Sequence, residues 1–162
     1  MVEGSVRPFS LNRDDRPHAQ SADLHDREWC RYMTAKKLRV YTASKLTEAP
    51  LCRNLARDWR EIEFTARWPF VHYPDDVPAI CSIGWEQDLE DIARSDVVLV
   101  FAASAEEKLR GALVEAGMGI ALGKRIIVVG DHPDYGSWQF HPLVYHAETL
   151  AEARVLLSCM GT

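Results

Sequence analysis

The stretch DVVLVFAASAEEKLRGALVEAGMGIALGKRIIVVG, residues 96–130, decides the fold. It contains two continuous apolar runs of strand length, at 96–103 and 125–130, as expected for parallel strands buried on both faces. Between them, residues 109–124 are typical of one helix, which Gly123 ends. A strand, a helix and a second strand in this order predict a right-handed crossover within a parallel sheet.

The chain continues this alternation on both sides of residues 96–130. Short β-branched and aromatic runs predict strands, and amphipathic runs predict helices. The predicted elements are, in chain order, a strand at 38–43, a helix capped by Thr47 with Pro50 in its first turn, a strand at 64–70, a loop at 73–84, a helix at 85–94, a loop at 131–142, a strand at 143–147 and a helix at 149–158. We therefore predict one α/β domain with a five-stranded, parallel, doubly wound sheet in flavodoxin-like or Rossmann-like order.

The N-terminal segment differs in composition from the rest of the chain. Residues 1–36 are rich in Asp, Arg, His, Pro and Ser and are interpreted as a tail or arm, and residues 37–162 as the domain. REWCRYM (27–33) is compatible with a short helix that docks on the body or on a second subunit. No apolar leader segment is visible, and the four scattered cysteines fit a reducing compartment, so we expect a cytoplasmic protein.

Composition and motifs argue against several classes of function. The chain has 162 residues and a formal net charge of -5, which disfavours nucleic acid as a partner. No apolar run approaches the length of a membrane span, so no membrane partner is expected. The histidines lack metal-ligand spacing, and GMGIALG (117–123) lies inside a helix instead of opening one. We expect neither a metal nor an organic cofactor.

Glu115 is the single acid in the middle of the predicted helix at 109–124. Residues three and four positions away provide no cation for its carboxylate, since they are Gly111, Ala112, Met118 and Gly119. Asp88 is equally isolated, because its same-face neighbours are Gly84, Trp85, Asp91 and Ile92. Burying an unpaired carboxylate is costly. Either a distant group satisfies Glu115, or its carboxylate serves chemistry.

Three candidate catalytic residues converge on one edge of the predicted sheet. Tyr41 lies near the end of the first strand, Asp88 in the first turn of the 85–94 helix, and Glu115 about one turn into its own helix. Two carboxylates and a phenol can break a glycosidic bond, because one carboxylate attacks the anomeric carbon and the other transfers a proton. Each residue also has a structural alternative. Backbone amides or a partner subunit could satisfy Glu115, the negative charge of Asp88 could stabilise the first turn of its helix, and Tyr41 could be an ordinary aromatic residue of a strand.

A candidate phosphate site lies at the same edge. It comprises Ser44 and Lys45 after the first strand, together with Ser104, Arg110 and the amide of Gly111, where a helix N-terminus favours anions. The alternative is that Lys45 and Arg110 are ordinary surface charges.

Five further aromatic and acidic residues receive interpretations from their positions. Trp85 lies next to the proposed site and is a substrate-binding candidate, whereas Trp59 and Trp68 are expected in the core. Asp91 and Asp96 are interpreted as solvated or capping residues.

The order of these residues resembles the nucleoside 2-deoxyribosyltransferase family and its relatives that hydrolyse nucleoside 5'-monophosphates. The resemblance rests on Tyr41 in VYTAS, Asp88 in DLEDIARSDVVLVF and Glu115 in RGALVEAGMGIALGKRIIVVG. The last element carries Gly111, Glu115, Gly117, Gly123 and Lys124 of the family pattern, with Ile120 in place of the usual alanine. The loops at 102–111 and 130–142, which shape the substrate pocket, depart from those of the transferases.

By this resemblance, Glu115 is the nucleophile, Asp88 transfers the proton and Tyr41 orients Glu115. The implied function is cleavage or transfer of the N-glycosidic bond of a 2'-deoxynucleoside or its 5'-monophosphate. The implied assembly is a homodimer or higher homo-oligomer. The base, the need for a 5'-phosphate and the choice between hydrolysis and transfer stay open.

Two alternatives to this function have the same fold. One is a nucleotide-binding or sensor module that kept the pocket and lost turnover. The other is a phosphoribohydrolase of the cytokinin-activating kind, whose P-G-G-x-G-T-x-x-E run is absent from this sequence.

Overall fold

A computed structural model of the chain describes residues 36–71, 78–106 and 108–161. The predicted arm, except for its last residue, and the predicted helix at 27–33 lie outside the described residues. Within the described part, no helix is both long and apolar enough to cross a membrane.

Five parallel strands form one sheet, as predicted. They are β1 (Leu38–Ala43), β2 (Ile62–Phe64), β3 (Val97–Val100), β4 (Arg125–Val129) and β5 (Val144–Ala147). The strand order is β2-β1-β3-β4-β5, which is the flavodoxin-like order. All four residues of β3 are buried, in agreement with the continuous apolar run that predicts this strand.

Four α-helices connect or follow these strands. They are α1 (Ala49–Asp58), α2 (Pro78–Arg94), α3 (Arg110–Ala121) and α4 (Leu150–Met160). Helices α2 and α3 pack against each other and both contact β1. Short 3-10 helices lie at Leu46–Glu48, Trp68–Phe70 and Ser137–Phe140, the last within the predicted loop at 131–142.

The predicted strand at 64–70 is wrong beyond its first residue. β2 ends at Phe64, and Trp68–Phe70 forms a 3-10 helix. Pro69 has no backbone N–H to donate to a strand neighbour, and the Trp68 indole donates to the Thr42 carbonyl oxygen at 2.9 Å. The predicted cap at Thr47 is also wrong, because Thr47 lies within a 3-10 helix and Glu48 precedes α1.

Helix α2 begins at Pro78, not at residue 85, so residues 78–84 of the predicted loop are helical. Proline suits the first turn of a helix because its missing N–H is not needed there. Asp88 therefore lies in the middle of a long helix. Its interpretation as a favourable first-turn charge is wrong.

Gly119 sets how closely α3 approaches the sheet. A Cβ atom at this position would lie 2.8 Å from Ile126 Cδ1 and 2.9 Å from Val98 Cγ2, closer than packed carbon atoms tolerate. Glu115 lies one helical turn before Gly119 on the same face. The absence of a side chain at Gly119 thus lets the Glu115 carboxylate reach the sheet.

The Gly123–Lys124 pair of the sequence motif has a structural role. Gly123 adopts a φ of 69° after the end of α3, a conformation that favours glycine. Lys124 Nζ donates to the carbonyl oxygens of Ala93 and Ser95, each at 2.7 Å, at the C-terminal end of α2. Lys124 therefore ties α2 to the start of β4.

Candidate active site

The structure brings Tyr41, Asp88 and Glu115 together from β1, α2 and α3. Tyr41 is fully buried, Glu115 is 7% exposed and Asp88 is half-buried. Burial raises the pKa of the Tyr41 hydroxyl, and the negative charges of Glu115 and Asp88 raise it further. The convergence predicted from the sequence is therefore present, although Asp88 reaches the site from the middle of its helix.

Burial and mutual repulsion control the ionisation of the two carboxylates. Burial, followed by the Asp88 charge, raises the pKa of Glu115 to about 8, and the Tyr41 hydroxyl acts in the opposite direction. Burial also raises the pKa of Asp88, against the Tyr41 hydroxyl. Two such groups titrate as a coupled pair. A pKa of about 8 keeps the proton on Glu115 near neutral pH in the free protein, and a shift of this proton to Asp88 would leave a nucleophile beside a proton donor.

Two buried oxygen atoms of the site make no hydrogen bond of regular geometry to a described residue. These are Tyr41 Oη and Glu115 Oε2. Among the residues that the structure describes, Thr65 Oγ1 and His132 Nε2 are the other buried side-chain atoms without such a hydrogen bond. Most buried polar atoms in proteins have a hydrogen-bond partner. The lack of one at both Tyr41 Oη and Glu115 Oε2 therefore indicates a ligand or a chemical role at this place.

Trp85 and Gly111 extend the site by one helical turn on each helix. A Cβ atom on Gly111 would lie 3.9 Å from Trp85 Cη2, so the indole lies beside the first turn of α3. Trp85 is 39% exposed, and it lies one turn before Asp88, as Gly111 lies one turn before Glu115. Substrate binding by Trp85 stays a prediction. Trp59 and Trp68 are buried, as expected.

The predicted phosphate-binding residues have different environments. Ser44 is nearly buried, and its hydroxyl donates to the Phe101 carbonyl oxygen at 2.8 Å. The Ser104 hydroxyl accepts from the Glu106 amide at 3.2 Å, and Lys45 is half-buried. Arg110 and Gly111 are exposed in the first turn of α3. Arg110 and Gly111 thus lie at the N-terminus of α3, and the phosphate site stays a prediction.

Asp134 caps the N-terminus of α3, a role that sequence reasoning missed. The Leu109 amide donates to Asp134 Oδ2 at 2.9 Å, and Lys108 Nζ lies 3.7 Å from Asp134 Oδ1. The first intrahelical hydrogen bond runs from the Leu113 amide to the Leu109 carbonyl oxygen. The backbone amides of residues 110–112 therefore have no acceptor within the helix. No local pattern in the sequence pairs Asp134 with a helix that begins more than twenty residues earlier.

Asp91 is a buried ion-pair partner, so its interpretation as a solvated or capping residue is wrong. Its side chain accepts from the backbone amide and Nε of Arg67, each at 3.0 Å, and from Arg94. Asp96 forms a two-point ion pair with Arg39, with nitrogen–oxygen distances of 2.9 and 3.2 Å. The Arg39 partner holds the pKa of Asp96 at about 2.

The described residues contain no group of three or more His, Cys, Asp or Glu side chains arranged to hold a metal ion. The arrangement they do contain is a buried carboxyl group, a second carboxyl group that interacts with it, and a phenol that interacts with both.

The similarity of this chain to known proteins lies in solved structures. No family model and no curated protein matches the sequence. A solved structure that it resembles is that of the CMP N-glycosidase BcmB of Clostridium botulinum. The two chains are 20% identical, the TM-score is 0.48, and the match covers 75% of this chain and 98% of that chain.

Proposed function

We propose that this protein breaks the N-glycosidic bond of a 2'-deoxynucleoside or its 5'-monophosphate. The observation that carries the proposal is the nearly buried Glu115 carboxyl group, whose Oε2 lacks a partner of regular geometry, beside the Tyr41 hydroxyl and the Asp88 carboxyl group. Placing an acid in the interior with no cation beside it costs stability, and a nucleophile is a reason to keep it there.

The chemistry assigns each of the three groups a role. A Glu115 oxygen forms a bond to C1' as the bond between C1' and the base nitrogen breaks, and the electron pair of that bond leaves with the base. On substrate binding, the proton that Glu115 holds in the free protein passes to Asp88, which donates it to the departing base. Tyr41 donates a hydrogen bond to the ionised Glu115 and fixes its orientation. Water or a second base then attacks C1' and releases Glu115, with Asp88 taking the proton back.

The test is chromatographic analysis of base release and base exchange by the purified protein. The substrate panel contains deoxynucleosides, their 5'-monophosphates and CMP, each with and without an acceptor base. CMP is included because BcmB is described as a CMP N-glycosidase. We expect base release that depends on Glu115. Tight nucleotide binding with neither release nor exchange would overturn the proposal and favour the sensor module.

A covalent intermediate provides a second test of the same proposal. A nucleoside with fluorine at C2' slows both steps, because the electronegative atom opposes positive charge at C1'. Intact-protein mass spectrometry should then detect the sugar bound to the wild-type chain, and peptide mapping should place it at Glu115. The matched control is Glu115→Gln, which should carry no adduct.

We also propose that a 5'-phosphate, where the substrate has one, binds at Arg110 and the free amides of the first turn of α3. Arg110→Ala should raise the Michaelis constant for a monophosphate at least about tenfold more than for the nucleoside, as expected for one charge-assisted contact. Equal effects on both substrates would contradict the phosphate site. Asp134 already places a negative charge at this helix end, so Asp134→Asn should change the same ratio in the opposite direction.

A further inference from the structure

Residues 65–68 are bonded to β1 on both sides of Tyr41. The Thr65 amide donates to the Val40 carbonyl oxygen at 2.9 Å. The Trp68 indole donates to the Thr42 carbonyl oxygen, also at 2.9 Å. Val40 and Thr42 are the chain neighbours of Tyr41. This short segment is therefore fixed relative to the phenol of the candidate site.

Arg67, within the same segment, is bonded to α2 on both sides of Asp88. Its Nη2 donates to the Gln87 carbonyl oxygen at 3.2 Å and to Glu90 Oε2 at 2.9 Å. Its Nε and its backbone amide both donate to Asp91 Oδ2 at 3.0 Å. Gln87 directly precedes Asp88, and Glu90 and Asp91 lie within one helical turn after it. Arg67 thus joins the turn that carries Asp88 to the segment that is fixed next to Tyr41.

Asp91 holds the Arg67 side chain in this position. Its carboxylate is fully buried, and two of its hydrogen bonds come from Arg67. A guanidinium held at Nε by one carboxylate and at Nη2 by two acceptors has a fixed plane. A lysine in its place has a single donor atom and cannot make all of these contacts at once.

The charges that face Asp88 come from four parts of the molecule. Arg67, from the segment after β2, lowers the pKa of Asp88, and Asp91, from its own helix, raises it. The Tyr41 hydroxyl on β1 also lowers the pKa of Asp88, and Glu115 faces it from α3. Arg67 is the cation of this set, so its removal leaves Asp88 among other acids.

We propose that Arg67, held by Asp91, is a positioning residue that sets the Asp88 carboxyl group against Tyr41. Arg67 touches no reacting atom in this role and acts through the turn of α2 that carries Asp88. The kinetic consequences of the proposal rest on the proposed function, whereas its structural consequences do not.

The test compares Arg67→Gln and Arg67→Lys with Arg94→Gln. Arg94 is a matched control because it also donates to Asp91, but from within α2, so its loss leaves the link to β1 intact. We expect Arg67→Gln to lower kcat at least about tenfold with little change in KM, since small displacements of a catalytic group are costly. Arg67→Lys should recover part of kcat, and Arg94→Gln should retain wild-type kcat.

A carboxyl-carbon NMR titration of Asp88, assigned with Asp88→Asn, tests the proposal without any substrate. Arg67→Gln should raise the pKa of Asp88, and Arg94→Gln should leave it unchanged. Equal kcat values and equal Asp88 titrations for the two glutamine variants would overturn the proposal. If the wild-type protein releases no base, the proposed function fails, and the titration alone decides the role of Arg67. Arg67→Met, which also removes the charge, takes the place of Arg67→Gln in the titration if Arg67→Gln does not fold.

Discussion

Asp91 and Glu115 are both buried carboxylates, yet the protein treats them in opposite ways. Asp91 accepts hydrogen bonds from two arginines and a backbone amide, so its charge is neutralised where it lies. Glu115 has a second carboxylate as its charged neighbour, and its Oε2 lacks a regular hydrogen-bond partner among the described residues. One carboxyl group is paired with cations at the point where two segments join, and the other has no cation beside it.

The difference separates an acid that supports the fold from an acid that is kept at the expense of the fold. Breaking a buried ion pair leaves an uncompensated charge and is strongly destabilising. Neutralising an unpaired buried carboxylate removes a repulsive interaction instead. Substitution of Asp91 should therefore lower mainly the free energy of unfolding, whereas substitution of Glu115 should lower mainly the activity.

Glu115→Ala should have the largest effect on activity. We expect base release to fall by at least about a thousandfold, because removal of a nucleophile leaves only binding and electrostatic contributions. Thermal melting should show an intact fold, since alanine favours helix. Base release within about tenfold of the wild-type rate would show that Glu115 is not the nucleophile and would remove the functional half of the comparison.

Asp91→Asn should have the largest effect on stability. The substitution leaves Arg67 and Arg94 without their carboxylate, and we expect the free energy of unfolding in urea to fall by about 3 kcal/mol. Glu115→Gln is the matched control, because the same change from acid to amide should cost no stability there. A loss below about 0.5 kcal/mol at Asp91 would mean that its pairing is worth no more than a surface ion pair.

Gly119→Ala should destabilise the protein by about 1–2 kcal/mol, because its Cβ atom overlaps side chains of β3 and β4 and any gain in helix propensity is smaller. It should also lower activity by moving Glu115 away from Tyr41. Gly117→Ala is the matched control, since a Cβ atom there meets nothing within 4 Å. The control should be neutral or slightly stabilising. Equal urea midpoints for the two variants would show that α3 does not depend on the close approach at Gly119.

The pH dependence of stability should differ between wild type and Glu115→Gln by at least about 1 kcal/mol at high pH. Glu115 has a pKa of about 8 in the folded chain against an ordinary value of 4.5, so the folded state binds more protons between these values. Stability of the wild type therefore falls as pH rises through this window. Glu115→Gln should lack this fall, and the two proteins should converge below pH 4.5.

Asp96 should show the opposite pH dependence of stability, because its pKa is lowered by folding and not raised. Its pKa is about 2 in the folded chain against 3.8, so its stabilising effect is present above 3.8 and is lost as pH falls through 2. Urea unfolding of Asp96→Asn and wild type should thus differ above pH 4 and converge in strong acid. A Glu115→Gln curve parallel to the wild-type curve from pH 4.5 to 8 would contradict the ionisation assigned to Glu115.

Local patterns in the sequence predict the central sheet and the candidate catalytic residues. The apolar runs of β3 and β4 have strand length, and an acid without a nearby cation in the α3 sequence identifies Glu115. Each of these signals lies within a few residues of the feature that it predicts. The start of α2 also has a local signal, because Pro78 suits the first turn of a helix. The prediction of a loop at 73–84 did not use this signal.

The features that the sequence did not reveal depend on distant pairs. Arg67 and Asp91 belong to different elements, and so do Leu109 and Asp134. Charge patterning along one helix cannot indicate such partners, because they meet only after the sheet has formed. This explains why Asp88 and Asp91, which look alike in the sequence, differ so much in their surroundings.

The close approach at Gly119 has a consequence for protein design. Transferring the site to another parallel-sheet scaffold requires more than the phenol and the two carboxyl groups. A recipient helix with an ordinary side chain four residues after the glutamate would stand farther from its sheet, by about 1 Å or more, and displacements of this size are a common reason why designed sites fail. The glycine is therefore part of the smallest portable unit, although it touches no substrate and carries no chemistry.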